Sequence, residues 1–152
     1  MLQILTGQWF LTFSNFSMWK HDDISDVTFN YTAAEKDGKP CFLDKVKYKK
    51  AGKSKSISGY DFADEQDSRS LIWQGKGWMF WIKSYWKIEW ISEAQDCIVL
   101  SFKKTIFTAS GVDIITRQKF PAPDVTERAK AYISSSPDLQ QRAKKMFRIL
   151  QN

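Results

Sequence analysis

Histidine is nearly absent from this 152-residue chain, with His21 the only one, and cysteine occurs twice, at Cys41 and Cys97. One imidazole and two thiols cannot supply the ligand clusters of a zinc centre, a His-based catalytic site or a disulfide framework. Most hydrolase and metalloenzyme mechanisms are thereby removed, and neither a metal nor another cofactor is expected. No apolar run approaches the roughly 18–20 residues of a membrane-spanning helix. The segment Met1 to Leu5 lacks a basic n-region and a small-residue cleavage site. A soluble, leaderless chain is the expectation, with a mature secreted or periplasmic protein and a cytoplasmic one both compatible. Lys plus Arg exceed Asp plus Glu by 23 to 17, a net charge of +6. That excess is too mild to imply nucleic acid, and no nucleic-acid partner is expected. No repeat, low-complexity stretch or Pro/Gly-rich linker divides the sequence, so residues 1–152 are expected to form one domain.

Aromatic residues, in contrast, make up 15% of the chain, seven of them Trp. Apolar residues recur with period two in eight short runs: Gly7 to Ser14, Asp26 to Ala33, Cys41 to Lys50, Lys55 to Ala63, Ser70 to Phe80 (interrupted), Tyr85 to Ile91, Asp96 to Lys103 and Val112 to Gln118. The breaks are mostly of hairpin length, such as Lys36-Asp37-Gly38 and Ala51-Gly52. The long connection, Asn15 to Ser25, carries Phe16, Met18 and Trp19 and so has something apolar to cover. After Pro121 and Pro123 the period becomes helical, predicting helices over about 124–134 and 137–150. Eight consecutive strands with short turns are most simply closed as an all-β, up-and-down antiparallel barrel over about 7–118, with the helices packed outside. Such a barrel leaves room for one small ligand.

Gly7-Gln8-Trp9 at the start of the first strand, and Ile114-Ile115-Thr116-Arg117 at the end of the eighth, resemble the first and third signature regions of the lipocalins. Asp96 is the sole match to the second signature. Fatty-acid-binding proteins also open with G-x-W, but they place a helix pair after the first strand and end on a strand. Strand alternation brings Trp9, Asp96 and Arg117 to the closed end. The resemblance implies that Arg117 packs on Trp9 there, a cation–π contact with a fold role. Cys41 and Cys97 fall on non-neighbouring strands, farther apart than the roughly 7 Å between Cα atoms that a disulfide allows, so two free thiols are expected.

Alternation assigns inward faces to Trp9, Leu11 and Phe13; Phe29 and Tyr31; Phe42, Asp44, Val46 and Tyr48; Tyr60 and Phe62; Trp86, Ile88 and Trp90; and Ile98, Leu100 and Phe102. Trp73, Trp78, Phe80, Trp81, Tyr85, Trp86 and Trp90 crowd positions 73–90 around an open-end turn. The lipocalin resemblance implies a calyx for a small hydrophobic ligand, such as a fatty acid, a lipid or a flat apolar compound. Its predicted lining is Trp19, Phe29, Tyr31, Val46, Tyr48, Tyr60, Trp73, Trp78, Phe80, Trp86, Ile88, Leu100 and Phe102.

Asp44, the one charged residue sent inward, must be paired, hydrogen-bonded or protonated. It more often serves structure than function. Enzymatic action on a lipid or carotenoid-like substrate, with Asp44, Tyr31, Tyr48 or a thiol supplying acid–base chemistry, is the lesser expectation. Lys45, Lys47, Lys49, Lys50, Lys53 and Lys55 crowd one hairpin. A solvated outer face is the simpler reading of that patch, and contact with an anionic membrane or nucleic acid the alternative. Gly52-Lys53-Ser54 lacks the upstream Gly and the strand-to-helix context of a phosphate loop. His21-Asp22-Asp23 reads as a polar loop. The sequons at Asn15 and Asn30 are compatible with export, although such tripeptides arise by chance.

Overall fold

The computed structural model describes residues 2–106 and 109–152. Eight strands follow in order: β1 (Gly7–Ser14), β2 (Ile24–Lys36), β3 (Lys39–Lys50), β4 (Lys53–Ala63), β5 (Ser70–Gly75), β6 (Lys83–Ile91), β7 (Cys97–Phe102) and β8 (Gly111–Thr116). Each pairs antiparallel with the next, and β1 pairs with both β2 and β8, so the sheet closes into a barrel. Two hairpins are fixed by turn chemistry. Asp37-Gly38 and Ala51-Gly52 adopt positive φ at both residues (52° and 74°, 51° and 74°), the twist that a two-residue hairpin requires. The lysines of β3 fall on the solvated face, with Lys45, Lys47 and Lys49 all exposed.

The barrel has two apolar layers. Inside it, Trp9, Leu11, Phe29, Tyr31, Leu71, Trp86, Ile88, Ile98, Leu100 and Ile115 form one cluster. Outside, Phe13, Cys97, Val99, Val112 and Ile114 meet Ala129, Ile133 and Leu139 of two helices, α1 (Pro123–Ser135) and α2 (Pro137–Arg142). The strands β7 and β8 are therefore apolar on both faces because both faces are covered.

Three expectations change here. Register shifts between Leu11 and Phe13 and between Ile88 and Trp90 turn Phe13 and Trp90 to the outside. There Trp90 stacks on Tyr132 of α1, with ring centroids 6.0 Å apart. In β4, Val46 lies opposite Ile57, Asp44 opposite Gly59 and Phe42 opposite Asp61, and cross-strand partners share a face. Asp61 is thus inside, and Tyr60 and Phe62 are outside. The second helix ends at Arg142 rather than near 150, with Lys145 at φ 64° breaking the chain direction. The residues beyond form a short strand, β9 (Phe147–Arg148), beside Phe13 and Ser14 of β1. The Ile149 N–H donates to the Thr12 carbonyl and Asp26 N–H to the Leu150 carbonyl, so this tail fills the gap where β1 and β2 part. Leu139 of α2 is buried, but the helical spacing does not continue past the helix, since Ile149 is buried there and Leu150 is exposed.

At the closed end the Arg117 guanidinium lies 3.8 Å from the Trp9 ring centroid. It donates to the carbonyls of Ile4 (2.6 Å), Thr6 (3.0 Å) and Gln8 (3.0 Å), and Trp9 Nε1 donates to the Leu5 carbonyl at 2.9 Å. The Arg117 N–H in turn donates to the Asp96 carbonyl at 2.9 Å. One cation thus ties the N-terminal 3-10 turn (Leu2–Leu5), β1 and β8 together. Cys41 and Cys97 are buried free thiols. Arg117→Ala removes the stack and three acceptors' donors at once, and is expected to cost about 2–4 kcal/mol in urea unfolding. The exposed neighbour change Gln8→Ala should cost under about 0.5 kcal/mol.

Candidate functional site: a lidded cavity in the barrel

The open half of the barrel holds a partly open cavity of about 210 Å³. Phe29 and Tyr31 of β2, Asp44 and Val46 of β3, Ile57 of β4, Trp73 of β5, Ser84 and Trp86 of β6, Phe102 of β7 and Asp113 of β8 line its wall. Phe16, Met18 and Trp19 cover it from the long connection. Glycine makes room for one wall. A Cβ on Gly59 would sit 2.3 Å from the Trp73 indole, so only glycine lets that ring approach the backbone there. Tyr31, Trp86 and Phe102 form a row, with centroid separations of 6.1 and 6.3 Å.

The lid is held by ring edges and by one amide. Phe16 meets Phe102 edge-on at 5.0 Å, and Trp19 meets Tyr48 at 5.3 Å. Asn15 accepts from the Val112 N–H through Oδ1 (2.9 Å) and donates through Nδ2 to the carbonyls of Arg142 (2.6 Å) and Lys144 (3.2 Å). The Asn30 side chain is likewise engaged, donating to the Lys45 carbonyl at 3.0 Å. Both sequon asparagines therefore hold backbone.

Of the residues singled out from sequence, Trp19, Phe29, Tyr31, Val46, Trp73, Trp86 and Phe102 come together around the cavity. Tyr48 sits half-buried at the rim against Trp19, while Ile88 and Leu100 are fully buried in the packed core, off the lining. Tyr60 lies outside, with the ammonium groups of Lys36 and Lys76 each 5.9 Å from its ring. Trp78 and Phe80 are 78% and 64% exposed, because β5 stops at Gly75 and a 3-10 turn (Gly77–Met79) carries them away from the wall. A Cβ on Gly75 would lie 2.2 Å from the Met79 carbonyl, so that turn packs directly on the strand end. Sequence reasoning missed Ile57, Ser84, Asp61 and Asp113. The facing of Asp61 follows from pairing β4 against the clear alternation of β3. That of Asp113 follows once Val112 and Ile114 are assigned to the helix-covered face.

Three carboxyls are thereby sealed in an aromatic interior: Asp44, Asp61 and Asp113 are 7%, 0% and 1% exposed. Trp86 Nε1 donates to Asp61 Oδ1 at 2.9 Å. Asp44 Oδ1 and Asp61 Oδ2 are buried without a donor. Burial, with Asp61 beside it, pushes Asp44 well above the carboxylate range. Burial also raises Asp61 to about 7, against the lowering effect of its Trp86 and Asp44 hydrogen bonds. Asp113 is raised to about 7 by burial, opposed by a hydrogen bond from Ser14. The Tyr31 phenol is held well above its usual value by burial and by the three carboxyls.

No protein-family model and no curated protein matches this sequence. Solved structures do share the fold. Lobster apocrustacyanin A1 superposes with a TM-score of 0.70 at 14% identity, covering 99% of this chain and 79% of that one. The cockroach allergen Per a 4 gives 0.72 at 9% identity over 100% and 88% of the two chains. The siderocalin Ex-FABP, described as acting through dual ligand specificities, gives 0.69 at 7% identity over 98% and 95%. All are lipocalins, and the fold of this chain is the lipocalin fold.

The buried acids have a sign that can be measured. The unfolded carboxyls titrate near 3.9 and the folded Asp61 and Asp113 near 7. Between about pH 4 and 7 the folded protein therefore holds protons that the unfolded chain has shed, and stability falls as pH rises through that window. The double variant Asp61→Asn, Asp113→Asn keeps acceptors for Trp86 and Ser14 but carries no such protons. In chemical denaturation it is expected to match the parent near pH 4 and to exceed it by about 2 kcal/mol or more at pH 8.

Proposed function

From the lipocalin fold and its lidded cavity, we propose that this protein binds and carries a small ligand with a hydrophobic body inside the barrel. The observation that carries the reading is the aromatic lining inside the barrel, which Phe16 and Trp19 of the long connection complete. Such rings desolvate a flat apolar body, while the few polar groups orient it. Size narrows the ligand. A dry cavity of about 150 Å³ accommodates benzene, so about 210 Å³ suits one ring with a short substituent. A long fatty acid or retinoid needs the lid displaced. Among the described residues no helix is long and apolar enough to cross a membrane, and a secreted setting belongs to the same proposal.

A second contact is favoured by the β5–β6 hairpin. Trp78, Phe80 and Trp81 are 78%, 64% and 52% exposed there, with Lys76 and Lys83 exposed beside them. Exposed aromatics flanked by cations suit the headgroup region of an anionic bilayer. Ligand delivery at a membrane surface would use both features. Trp78→Ser with Phe80→Ser is expected to abolish cosedimentation with phosphatidylserine vesicles while leaving ligand binding unchanged.

The carrier reading is tested by native mass spectrometry of protein from its own source, with identification of any stoichiometric passenger. An empty protein whose tryptophan fluorescence also fails to respond to compact aromatic ligands would refute it. The lid supplies a kinetic check. A Cβ on Gly111 would lie 2.6 Å from Phe16 Cζ and 2.8 Å from Asn15 Oδ1. Gly111→Ala should therefore displace the lid and speed ligand dissociation roughly tenfold, equivalent to about 1.4 kcal/mol, in stopped-flow fluorescence.

A further inference from the structure

The polarity of the cavity has one sign. Its lining contains the carboxyls of Asp44 and Asp113, the Tyr31 phenol and the Ser84 hydroxyl, and among the described residues that line it there is no Lys, Arg or His. Asp113 belongs to this lining and is 1% exposed, and its Oδ1 is buried without a hydrogen-bond donor. A buried acceptor without a donor is costly, and a buried carboxylate without a counter-charge more so. Asp61 receives the Trp86 N–H and has Asp44 beside it, whereas Asp113 has only Ser14.

Ligand chemistries differ sharply against such a wall. A carboxylate brings a further negative charge and no donor. A neutral hydrocarbon leaves Asp113 Oδ1 as it was. An ammonium group brings a positive charge and N–H donors together, and the faces of Tyr31, Trp86 and Phe102 attract a cation as well. The exterior of the protein is net positive, so a cation gains nothing from the overall charge and any preference must come from these interior groups.

Resting on the carrier reading, we propose that the ligand is a compact organic amine, its ammonium held by Asp113, with the Asp44 carboxyl on the facing wall, and its apolar body by Trp73, Trp86 and Phe102. The pH dependence follows from the groups around the site. Tyr31 faces it from β2, Asp44 from β3, Asp61 from β4 and Asp113 from β8. The remaining wall and lid residues are apolar or aromatic apart from the Ser84 hydroxyl, and none of them titrates. A protonated carboxyl must release its proton to pair with an ammonium, so affinity for the amine rises with pH as Asp113 ionises near 7.

The test compares three near-isosteric probes, 2-phenylethylamine, 2-phenylethanol and phenylacetate, by isothermal titration and tryptophan quenching at pH 8. The amine is expected to bind about tenfold or more tighter than the alcohol, and phenylacetate most weakly. Lowering the pH to 5.5 should weaken the amine about tenfold while leaving the alcohol unchanged. Asp113→Asn should abolish the preference for amine over alcohol, and Asp44→Asn should reduce it. Both substitutions are close in shape and remove a buried acid, so alcohol binding reports that the cavity is intact. If the alcohol or phenylacetate binds as tightly as the amine, or the preference survives in Asp113→Asn, the amine assignment is overturned while the carrier reading stands. If none of the three binds and no passenger copurifies, both readings fall together.

Discussion

Because antiparallel partners share a face, fixing the facing of one strand in a closed barrel fixes that of its neighbours in turn, except where a bulge intervenes. In this chain the three outer lysines of β3 set the pattern. With Lys45, Lys47 and Lys49 in water, Asp44 and Val46 must point inward, and pairing then carries Ile57, Gly59 and Asp61 inward on β4. Polar residues enter the interior by this geometric obligation. Part of their cost is met locally: Trp86 Nε1 donates to Asp61, which lies beside Asp44. Asp113, on the opposite arc of the barrel, receives less.

The two ends of the barrel follow different physical rules. At the closed end a cation is stacked on an indole and donates to three carbonyls, which fastens β1 and β8 to the N-terminal turn. At the open end the covering loop is held chiefly by ring edges and the Asn15 amide, contacts that are individually small and can be released together. Rigidity below and weaker closure above suit a container that must keep its shape while its contents come and go.

Much of this architecture is legible in the amino-acid sequence. The eight strands sit where the alternation puts them, except that the fifth stops at Gly75 and not at Phe80, and Trp9 and Arg117 meet as the lipocalin resemblance implies, because period-two patterning and hairpin chemistry are local properties. The positions where the period slips are not legible. The bulges at Leu11–Phe13 and Ile88–Trp90 are invisible in a strip of apolar letters, yet they move two aromatics from the interior to the helix-covered face. Residue type alone sends the aromatic Tyr60 inward and the charged Asp61 outward; strand pairing outranks both preferences. The strongest missed signal is Cys97-Ile98-Val99-Leu100, apolar on both faces and therefore covered on both. The same reasoning applied to β8 separates Val112 and Ile114 from Asp113.

The C-terminal tail links these regions. Arg142, at the end of α2, donates from Nη2 to the Phe102 carbonyl at 2.7 Å, and its own carbonyl accepts from Asn15 of the lid. Phe102 is also the ring against which Phe16 closes. Five residues on, β9 and Ile149 occupy the gap between β1 and β2, where the Asn152 N–H donates to Asp26 at 2.9 Å. The tail therefore braces the seam between β1 and β2 and anchors the lid with one short segment. A helix carried on to residue 150 would serve neither purpose, since it would leave the gap between β1 and β2 unfilled. The break at Lys145 is what turns an amphipathic helix into the element that connects that seam to the lid.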